Sequence, residues 1–268
     1  MMQDNITIET NTDCNAKCII CPNGQKARPH HQMPLEEFEA ILRFFPQLKT
    51  VVLCGMYEPL LEPHERLDKI LTLIEKVHPT ADVTIFTNGS LLTQEKGLML
   101  KSHPNFRNLV VSIHGASKEV YESVMGLDYH TVYTNVLSFL DLIAYDPTIH
   151  VSVSFVRTKQ NIHELSDFRK FWTGRVDNVS DFESMNWRGA VDKNLVLYEF
   201  PKYTRACPMF DQPLVIDAHG NVVRCCYDFS FNYGHVLQGG YEAWKVRSRV
   251  SATYPTEECK TCLGWRHY

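Results

Sequence analysis

The sequence predicts an α/β protein: a partial (β/α)6 barrel followed by a small C-terminal region made of a β-hairpin and a helix. From the N-terminus to about residue 190, short β-like runs alternate with amphipathic helical patterns in about six units. Such alternation is typical of a parallel sheet covered by helices, and six units favour an open TIM-like barrel over a closed barrel of eight. The alternation stops after about residue 200, so we predict two domains, 1–195 and 196–268.

Apolar periodicity predicts each element in order. Alternating or continuous apolar runs predict strands over 5–10, 50–55, 82–89, 108–115, 150–156 and 179–185. Apolar residues spaced three and four apart predict helices over 35–45, 63–77, 91–101, 132–143 and 162–172. Beyond the barrel, the turn sequence DAHGN between two β runs over 213–226 predicts a hairpin, and 241–250 predicts one short helix.

Composition limits the function classes. The chain of 268 residues carries a net charge of −4, which argues against a broad nucleic-acid footprint. Its first residues show no basic segment followed by an apolar one, and no apolar run is long enough to span a bilayer. We therefore expect a cytoplasmic protein without membrane segments. Nine cysteines in a reducing compartment favour metal or redox chemistry over disulfide bonds.

Three of the cysteines, Cys14, Cys18 and Cys21, form a C-x3-C-x2-C motif. Thiolates prefer zinc, copper(I) or iron–sulfur clusters. A structural zinc site needs four ligands, and no fourth cysteine follows nearby. Cys54 ends a β run, where a buried core cysteine is the expected role. Three thiolates would leave one iron of a cluster open to another ligand, and a zinc site stays an alternative.

The motif resembles that of the radical S-adenosylmethionine (SAM) superfamily, C-x3-C-x-φ-C, in which φ is apolar or aromatic and is Ile20 here. The resemblance implies a [4Fe–4S] cluster held by Cys14, Cys18 and Cys21. It implies that the amino and carboxylate groups of S-adenosyl-L-methionine chelate the fourth iron. It also implies that Ile20 lies against the adenine.

Further stretches resemble SAM-binding segments of the same family. CGMYEPLL resembles the GGEP motif, which implies that Glu58 accepts a hydrogen bond from the SAM amino group, although Tyr57 stands where the family often has glycine. FTNGSLL resembles the TNG segment, which implies that Thr87 and Asn88 face the methionyl part. Taken alone, these residues also fit an ordinary loop and a common Asn-Gly turn. The resemblance covers about residues 5–190.

Two serines are assigned partly by strand alternation. VVSIHG resembles the family's fourth strand, and period two puts Ser112 on the face opposite Val111 and Ile113. We therefore expect Ser112 to point into the barrel and to bond the ribose. The same alternation in HVSVSFV puts Ser152 and Ser154 on one face. We expect Ser154 to touch SAM, and a polar pair facing the helices is the alternative.

The C-terminal cysteines form a second constellation. Cys207, Gly220 and Cys225 give C-x12-G-x4-C, and Cys259 and Cys262 give C-x2-C. By themselves these pairs fit zinc or an iron–sulfur cluster equally. Beside a radical SAM core they resemble the Twitch form of the SPASM-type domain, which implies one auxiliary [4Fe–4S] cluster ligated by Cys207, Cys225, Cys259 and Cys262. Cys226 adjoins Cys225 and is the alternative ligand. Adjacent strand residues point to opposite faces, so only one of the two can face the cluster.

The resemblance also implies a reaction. SAM is reductively cleaved to a 5′-deoxyadenosyl radical that abstracts hydrogen from a substrate, with flavodoxin or ferredoxin as the electron donor. A Twitch cluster resembles that of aminocyclitol alcohol dehydrogenases, so we expect a small polar metabolite and a dehydrogenation.

Three other functions stay open. A peptide- or protein-modifying enzyme is the first alternative. Such relatives usually carry extra length for peptide recognition, and with about four residues before the first strand we expect no N-terminal recognition domain. The others are a non-catalytic zinc-binding module and a purely electron-transferring iron–sulfur protein.

Substrate contacts are expected at strand ends. Arg188, in MNWRG after the sixth strand, is the candidate catalytic residue, because a guanidinium can bind an anionic group or stabilise a developing alkoxide. Trp187, Glu9 and Tyr57 are further candidates. Each has an ordinary alternative: a solvated loop charge for Arg188, a structural salt bridge for Glu9, and core positions for the two aromatic residues.

Overall fold

The computed structural model describes residues 4–185, 187, 190–197, 214–225 and 228–251. Within these ranges the strands are β1 (Asn5–Ile8), β2 (Thr50–Leu53), β3 (Asp82–Thr87), β4 (Phe106–Ser112), β5 (His150–Arg157), β6 (Asn178–Glu183), β7 (Leu214–Ile216), β8 (Asn221–Cys225) and β9 (Asp228–His235). The helices are α1 (Pro22–Gln25), α2 (Leu35–Phe44), α3 (His64–Val77), α4 (Gln94–Ser102), α5 (Lys118–Met125), α6 (Tyr129–Ile143), α7 (Leu165–Trp172) and α8 (Gly240–Ser251). None of the described helices combines the length and hydropathy needed to cross a membrane.

Strands β1 to β6 lie side by side in chain order, and each is parallel to its neighbours. Helices lie between successive strands along the chain. This arrangement confirms the predicted α/β fold and fits a partial (β/α)6 barrel. Parallel strands bring their carboxyl ends to one edge, where barrel enzymes place their active sites.

The core lies between the sheet and the helices. On β2, Val51 and Leu53 are fully buried and alternate with half-buried residues. The facing side of α3 presents Leu67, Ile70 and Ile74, all buried. These residues are the apolar stripes seen in the sequence, so burial of one face of each element orders the barrel.

Helix α5 lies between the strand predicted over 108–115 and the helix predicted over 132–143, where the sequence predicted no element. The Ser117 hydroxyl accepts a hydrogen bond from the Val120 backbone N–H at 3.3 Å and caps the first turn. Gly126 ends the helix with a φ of 66°, a left-handed conformation that glycine adopts without steric cost. The helix therefore has clear signals at both ends, and its apolar side chains Tyr121, Val124 and Met125 are buried.

The C-terminal hairpin extends the sheet of the barrel. β7 pairs in parallel with β1, with Ile6 opposite Leu214 and Ile8 opposite Ile216. β8 and β9 then add as antiparallel strands. The predicted hairpin and the helix predicted over 241–250 are both present, and β9 is a further strand that the sequence did not predict. The boundary between two domains stays a prediction.

Candidate active site

The described chain has a cavity at the edge where the carboxyl ends of the parallel strands meet. The predicted cluster- and SAM-binding residues that line it are Cys14, Cys18, Ile20, Cys21, Glu58, Thr87, Asn88 and Ser112. Ser154 is buried directly beside Ser112 in the strand register, but it is not among the lining residues. Motifs far apart in the sequence therefore meet in one place.

The cysteine loop is held between two helices. The backbone N–H groups of Lys17 and Ile19 donate to carbonyl oxygens at the end of α5, at 3.1 and 3.0 Å. On its other side α1 packs so closely that a Cβ on Gly24 would overlap the Cys18 carbonyl oxygen. Only glycine permits this approach. Helix α5, which the sequence did not predict, therefore supports the cysteine loop.

The three thiols of the loop supply soft ligands along one wall of the cavity. Cys14, Cys18 and Cys21 are free cysteines. Burial raises the pKa of each thiol, that of Cys14 to about 11. A raised pKa favours the protonated thiol. Binding to iron favours the thiolate instead, because a coordinated thiol loses its proton. The donor set fits a cluster held by three thiolates with one iron left for SAM.

Glu58 joins two of the SAM-binding segments. Its Oε1 accepts hydrogen bonds from the Leu60 N–H at 3.0 Å and the Thr87 hydroxyl at 2.6 Å, and its Oε2 accepts from the Asn88 N–H at 2.7 Å. The carboxyl is fully buried, and burial raises its pKa. Each carboxylate oxygen has two acceptor positions. Oε2 can therefore accept one more hydrogen bond, from a ligand amine in the cavity.

Asn88 connects the TNG segment to the cysteine loop. Its Nδ2 donates to Asn15 Oδ1 at 2.9 Å, and its Oδ1 accepts from the Ser90 hydroxyl at 2.6 Å. Gly89 between them has a φ of 76°, which allows the tight turn. The Asn88 amide therefore has a positioning role in addition to its place in the cavity wall.

A second buried carboxylate, Glu9, lies in an ion pair beside the site. Arg28 donates to both of its oxygens, at 2.8 and 3.0 Å, and the Met56 N–H donates at 2.6 Å. Gly55 makes room for this pair, since a Cβ there would overlap the Glu9 carboxylate. Tyr57 is also buried and lines the cavity. Glu9 thus has the structural salt-bridge role given above as its alternative.

The opposite wall contains polar residues that no motif indicated. His114, just after β4, and Glu183, at the end of β6, both line the cavity. Arg157 lies between two carboxylates, 3.1 Å from Asp181 and 3.5 Å from Glu183. Extending the strand alternation two residues beyond Ser112 would have found His114. The Arg157–Glu183 pair depends on the register of β5 with β6, which the sequence alone does not give.

Trp187, which follows the last barrel strand β6, contacts the cysteine loop that follows the first strand β1. Its indole Nε1–H donates to the Ile20 carbonyl oxygen at 2.8 Å, and the side chain lines the cavity. Its φ is 46°, an uncommon value for a residue other than glycine. Trp187 therefore bridges the two walls of the site.

Several predicted residues lie outside the described part of the chain: Arg188, Cys207, Cys259, Cys262 and the side chain of Cys225. The candidate catalytic residue and the auxiliary ligand set stay predictions. Among the residues that the structure describes, no three His, Cys, Asp or Glu side chains form a group that could hold a single metal ion.

A family model described as the Radical SAM superfamily matches residues 8–171. The chain belongs to the radical SAM superfamily. The match contains the cysteine loop and the segments around Glu58, Asn88 and Ser112, so the predicted family is confirmed. It ends before the C-terminal cysteines, so it does not extend to the Twitch resemblance.

Individual relatives are similar over different shares of the chain. The S-adenosyl-L-methionine-dependent 2-deoxy-scyllo-inosamine dehydrogenase of Niallia circulans is 28% identical over 138 residues, which are 47% of this chain and 53% of that protein. The chain thus matches about half the length of this curated relative.

Solved structures show the same fold over nearly the whole chain. BtrN in complex with AdoMet and 2-DOIA is 18% identical with a TM-score of 0.64, covering 98% of this chain and 94% of that one. Streptococcus suis SuiB bound to precursor peptide SuiA is 14% identical with a TM-score of 0.73, covering 97% and 70%. Native anSMEcpe with bound AdoMet is 15% identical with a TM-score of 0.68, covering 97% and 86%.

Proposed function

We propose that the protein is a radical SAM oxidoreductase that converts an alcohol of a small polar metabolite into a carbonyl. The observation that carries this proposal is a single cavity whose one wall holds the three-cysteine loop and the SAM segments, while His114 and Glu183 lie in the other. When bound, the [4Fe–4S] cluster and SAM supply a 5′-deoxyadenosyl radical that takes a hydrogen atom from a substrate C–H bond. The protein binds and orients both molecules and limits access of water.

The cofactor wall supports SAM binding residue by residue. Cys14, Cys18 and Cys21 would hold three irons, and Ile20, buried beside them, would lie against the adenine. Oε2 of Glu58, which has a further acceptor position, would accept a hydrogen bond from the SAM amino group. The remaining predicted contacts to SAM are Thr87, Asn88, Ser112 and Ser154.

The relatives support a small substrate. The curated relative is named for 2-deoxy-scyllo-inosamine, and the BtrN structure contains 2-DOIA. Together with a cavity wall that carries the polar groups His114 and Glu183, these names support an aminocyclitol-like alcohol as the substrate.

The proposal includes an auxiliary [4Fe–4S] cluster held by Cys207, Cys225, Cys259 and Cys262 in a Twitch-like C-terminal region. An alcohol that becomes a carbonyl loses a hydrogen atom, a proton and one electron, so the electron needs an acceptor. The auxiliary cluster would be that acceptor. We further expect flavodoxin or ferredoxin as the reductant for SAM cleavage. We expect a cytoplasmic location, because a reducing compartment keeps the thiols available for iron.

The test uses anaerobically reconstituted full-length protein with dithionite, SAM and 2-deoxy-scyllo-inosamine deuterated at its hydroxyl-bearing carbons. We expect about eight irons per chain, from two [4Fe–4S] clusters, and deuterium in the 5′-deoxyadenosine formed. Cys18→Ala is expected to lose about half of the iron and all SAM cleavage, because one cluster ligand is removed. The matched control is Cys54→Ala, which removes a thiol that lines the same cavity outside the motif.

Four results would contradict parts of the proposal. Bound zinc with no 5′-deoxyadenosine would reject the enzyme. About four irons with intact SAM cleavage would reject the auxiliary cluster. Deuterium transfer from a peptide, and from no polyol or aminocyclitol, would move the substrate class to peptides. Equal loss of iron in Cys18→Ala and Cys54→Ala would reject the assigned ligand set.

A further inference from the structure

His114 lies where the cofactor wall meets the wall formed by β5 and β6. It follows β4 two residues after Ser112, on the same face of the chain, and so lies further toward the carboxyl edge of the barrel. Its side chain is buried, yet it lines the cavity. Val156 of β5, which also lines the cavity, is its neighbour across the strands.

The ring of His114 has a defined tautomer. The backbone N–H of Val156 points at Nδ1 at 3.1 Å, and a backbone N–H can only donate. Nδ1 is therefore an acceptor, and the hydrogen of the neutral ring is on Nε2. Burial lowers the pKa of His114 to about 4, so the ring is neutral at neutral pH. The backbone groups of Ile113 and Ser154 also lie near the ring and oppose part of that shift. Within the described chain, no side chain accepts a hydrogen bond from Nε2.

The backbone around His114 is fixed by one buried amide. Asn161, fully buried, donates from Nδ2 to the carbonyl oxygens of His114 and Val156, both at 2.9 Å. Its Oδ1 accepts from the Thr158 N–H at 2.7 Å, so the amide is fully engaged. The two strand ends are therefore locked together next to the ring.

The turn that follows His114 is held just as closely. Glu164 Oε2 accepts from the backbone N–H groups of Ala116 and Ser117, at 2.7 and 3.1 Å. The hydroxyls of Tyr133 and Tyr129 donate to the carbonyl oxygens of Gly115 and Ala116, at 2.9 and 3.0 Å. Two tyrosines of α6 and one glutamate just before α7 thus fix one short turn, and the His114 ring stands on a rigid base.

We propose that His114 is a substrate-binding residue whose Nε2–H donates a hydrogen bond to the oxygen of the alcohol that is oxidised. This assignment rests on the proposed function. The proton of the alcohol passes to the Glu183 carboxylate, which lines the same cavity. The oxygen thereby gains negative charge, and a fixed neutral donor stabilises that charge without reorganising. The ring is a donor and not the proton acceptor, because its acceptor nitrogen is occupied by Val156.

A purely structural role would involve a different atom of the same ring. His114 then serves only to satisfy the Val156 N–H through Nδ1. Asparagine places an acceptor near Nδ1 and nothing at Nε2, whereas glutamine places a donor near Nε2 and loses the acceptor. The substitutions His114→Asn and His114→Gln therefore separate the two roles.

The experiment uses the reconstituted full chain with 2-deoxy-scyllo-inosamine as the probe. We expect His114→Asn to lower kcat/KM for the probe about 10- to 100-fold, the effect of removing one buried hydrogen-bond partner. His114→Gln is expected to stay within about threefold of the wild type, because the donor is kept. Iron content and the SAM dissociation constant are measured for each variant and are expected to match those of the wild type.

Two other outcomes overturn the assignment. Full activity in His114→Asn with loss in His114→Gln shows the structural role. A weaker SAM affinity in His114→Asn shows that the ring contacts SAM. If His114→Gln fails to bind iron, His114→Asn decides alone: lost turnover with unchanged SAM affinity supports the proposal, and unchanged turnover rejects it. Failure of the proposed function is distinct, since the wild type itself would then not turn over the probe.

Discussion

The two walls of the cavity use their charged and polar groups differently. On the β1–β3 side, the carboxylates of Glu9, Glu58 and Glu62 are all buried, and each receives hydrogen bonds from partners inside the protein. On the β4–β6 side, the His114 ring presents a donor to the cavity, on a base that is equally well bonded. The first wall positions loops for a cofactor, and the second wall keeps a fixed group for a substrate.

Glu62 shows how the first wall holds its loops. The carboxylate accepts hydrogen bonds at 2.7, 2.7, 2.8 and 3.0 Å from Thr10, Asn11, Gln32 and Arg66. These partners come from the chain before the cysteine loop, from the segment after it and from α3. One buried carboxylate thus ties both ends of the cysteine segment to the barrel. Its four donors also compensate a buried negative charge that would be costly without partners.

The largest effect is expected where α1 meets the cysteine loop. Gly24→Ala places a Cβ against the Cys18 backbone, so the loop must shift away from cluster geometry. We expect about half of the iron to be lost, together with SAM cleavage, while the helical content stays unchanged. The measurements are iron per chain, 5′-deoxyadenosine yield and circular dichroism.

The matched control is Gly97→Ala on α4. A Cβ there meets only side chains of Leu142 and Phe139, at 3.1 Å, far from the cavity. Full iron content in this variant and loss in Gly24→Ala would place the effect at the cysteine loop. Equal iron content in both would show that the cluster tolerates movement of the loop. The position of the cysteine loop would then be less strictly fixed than its hydrogen bonds indicate.

The next effect tests the buried ion pair of the first wall. Arg28→Met leaves Glu9 buried without its cation, and breaking such a pair costs about 3–5 kcal/mol of the free energy of unfolding. Arg43→Met is the control, because Arg43 is 55% exposed in its pair with Glu39, and exposed pairs contribute little. The measurement is anaerobic chemical unfolding at several pH values.

The pH dependence of Arg28→Met has a definite sign. Burial raises the pKa of Glu9 above its ordinary 4.5, and Arg28 opposes that shift. Without Arg28 the pKa rises further, so the folded form holds a proton that the unfolded form releases. Stability then falls as the pH rises from 4.5 through the raised pKa. We expect a smaller loss at pH 5.5 than at pH 8, and an equal loss at both would show that Glu9 is not the source.

Local sequence patterns predicted most of the barrel. The features that they did not predict depend on contacts between residues far apart in the sequence. Apolar stripes gave the strands and helices of the six units, and ordered motifs located Cys14, Glu58 and Asn88. Nothing in the LVI of β7 specifies β1 as its partner, since that pairing joins residues over two hundred positions apart. The partners of Glu9 and Glu62 are likewise distant in sequence.

Two misses had local signals. The α5 stretch carries Ser117 and Gly126 at cap positions, and Phe229, Phe231 and Tyr233 alternate along β9, a pattern typical of a strand. His114 is a different case. Its face follows from the alternation that located Ser112, but the bond between Nδ1 and Val156 that leaves Nε2 for a substrate appears only when β4 and β5 are paired.

The smallest effect is expected at the turn beneath His114. Tyr129→Phe removes one hydroxyl bond to Ala116, at 3.0 Å, which contributes about 1 kcal/mol to the free energy of unfolding. Glu164 and Tyr133 still hold the turn, so we expect kcat/KM for 2-deoxy-scyllo-inosamine to change less than about threefold. Tyr145→Phe is the control, since Tyr145 is 99% exposed.

This last comparison measures how rigid the second wall is. If several bonds fix the turn together, removing one lowers stability without moving the His114 ring, and the KM for the probe stays constant. If Tyr129→Phe impaired turnover as much as His114→Asn, the turn would depend on a single bond, and the ring would not be a fixed donor. A loss of stability with unchanged turnover therefore supports a rigid substrate wall, built with the same excess of hydrogen bonds as the wall that faces SAM.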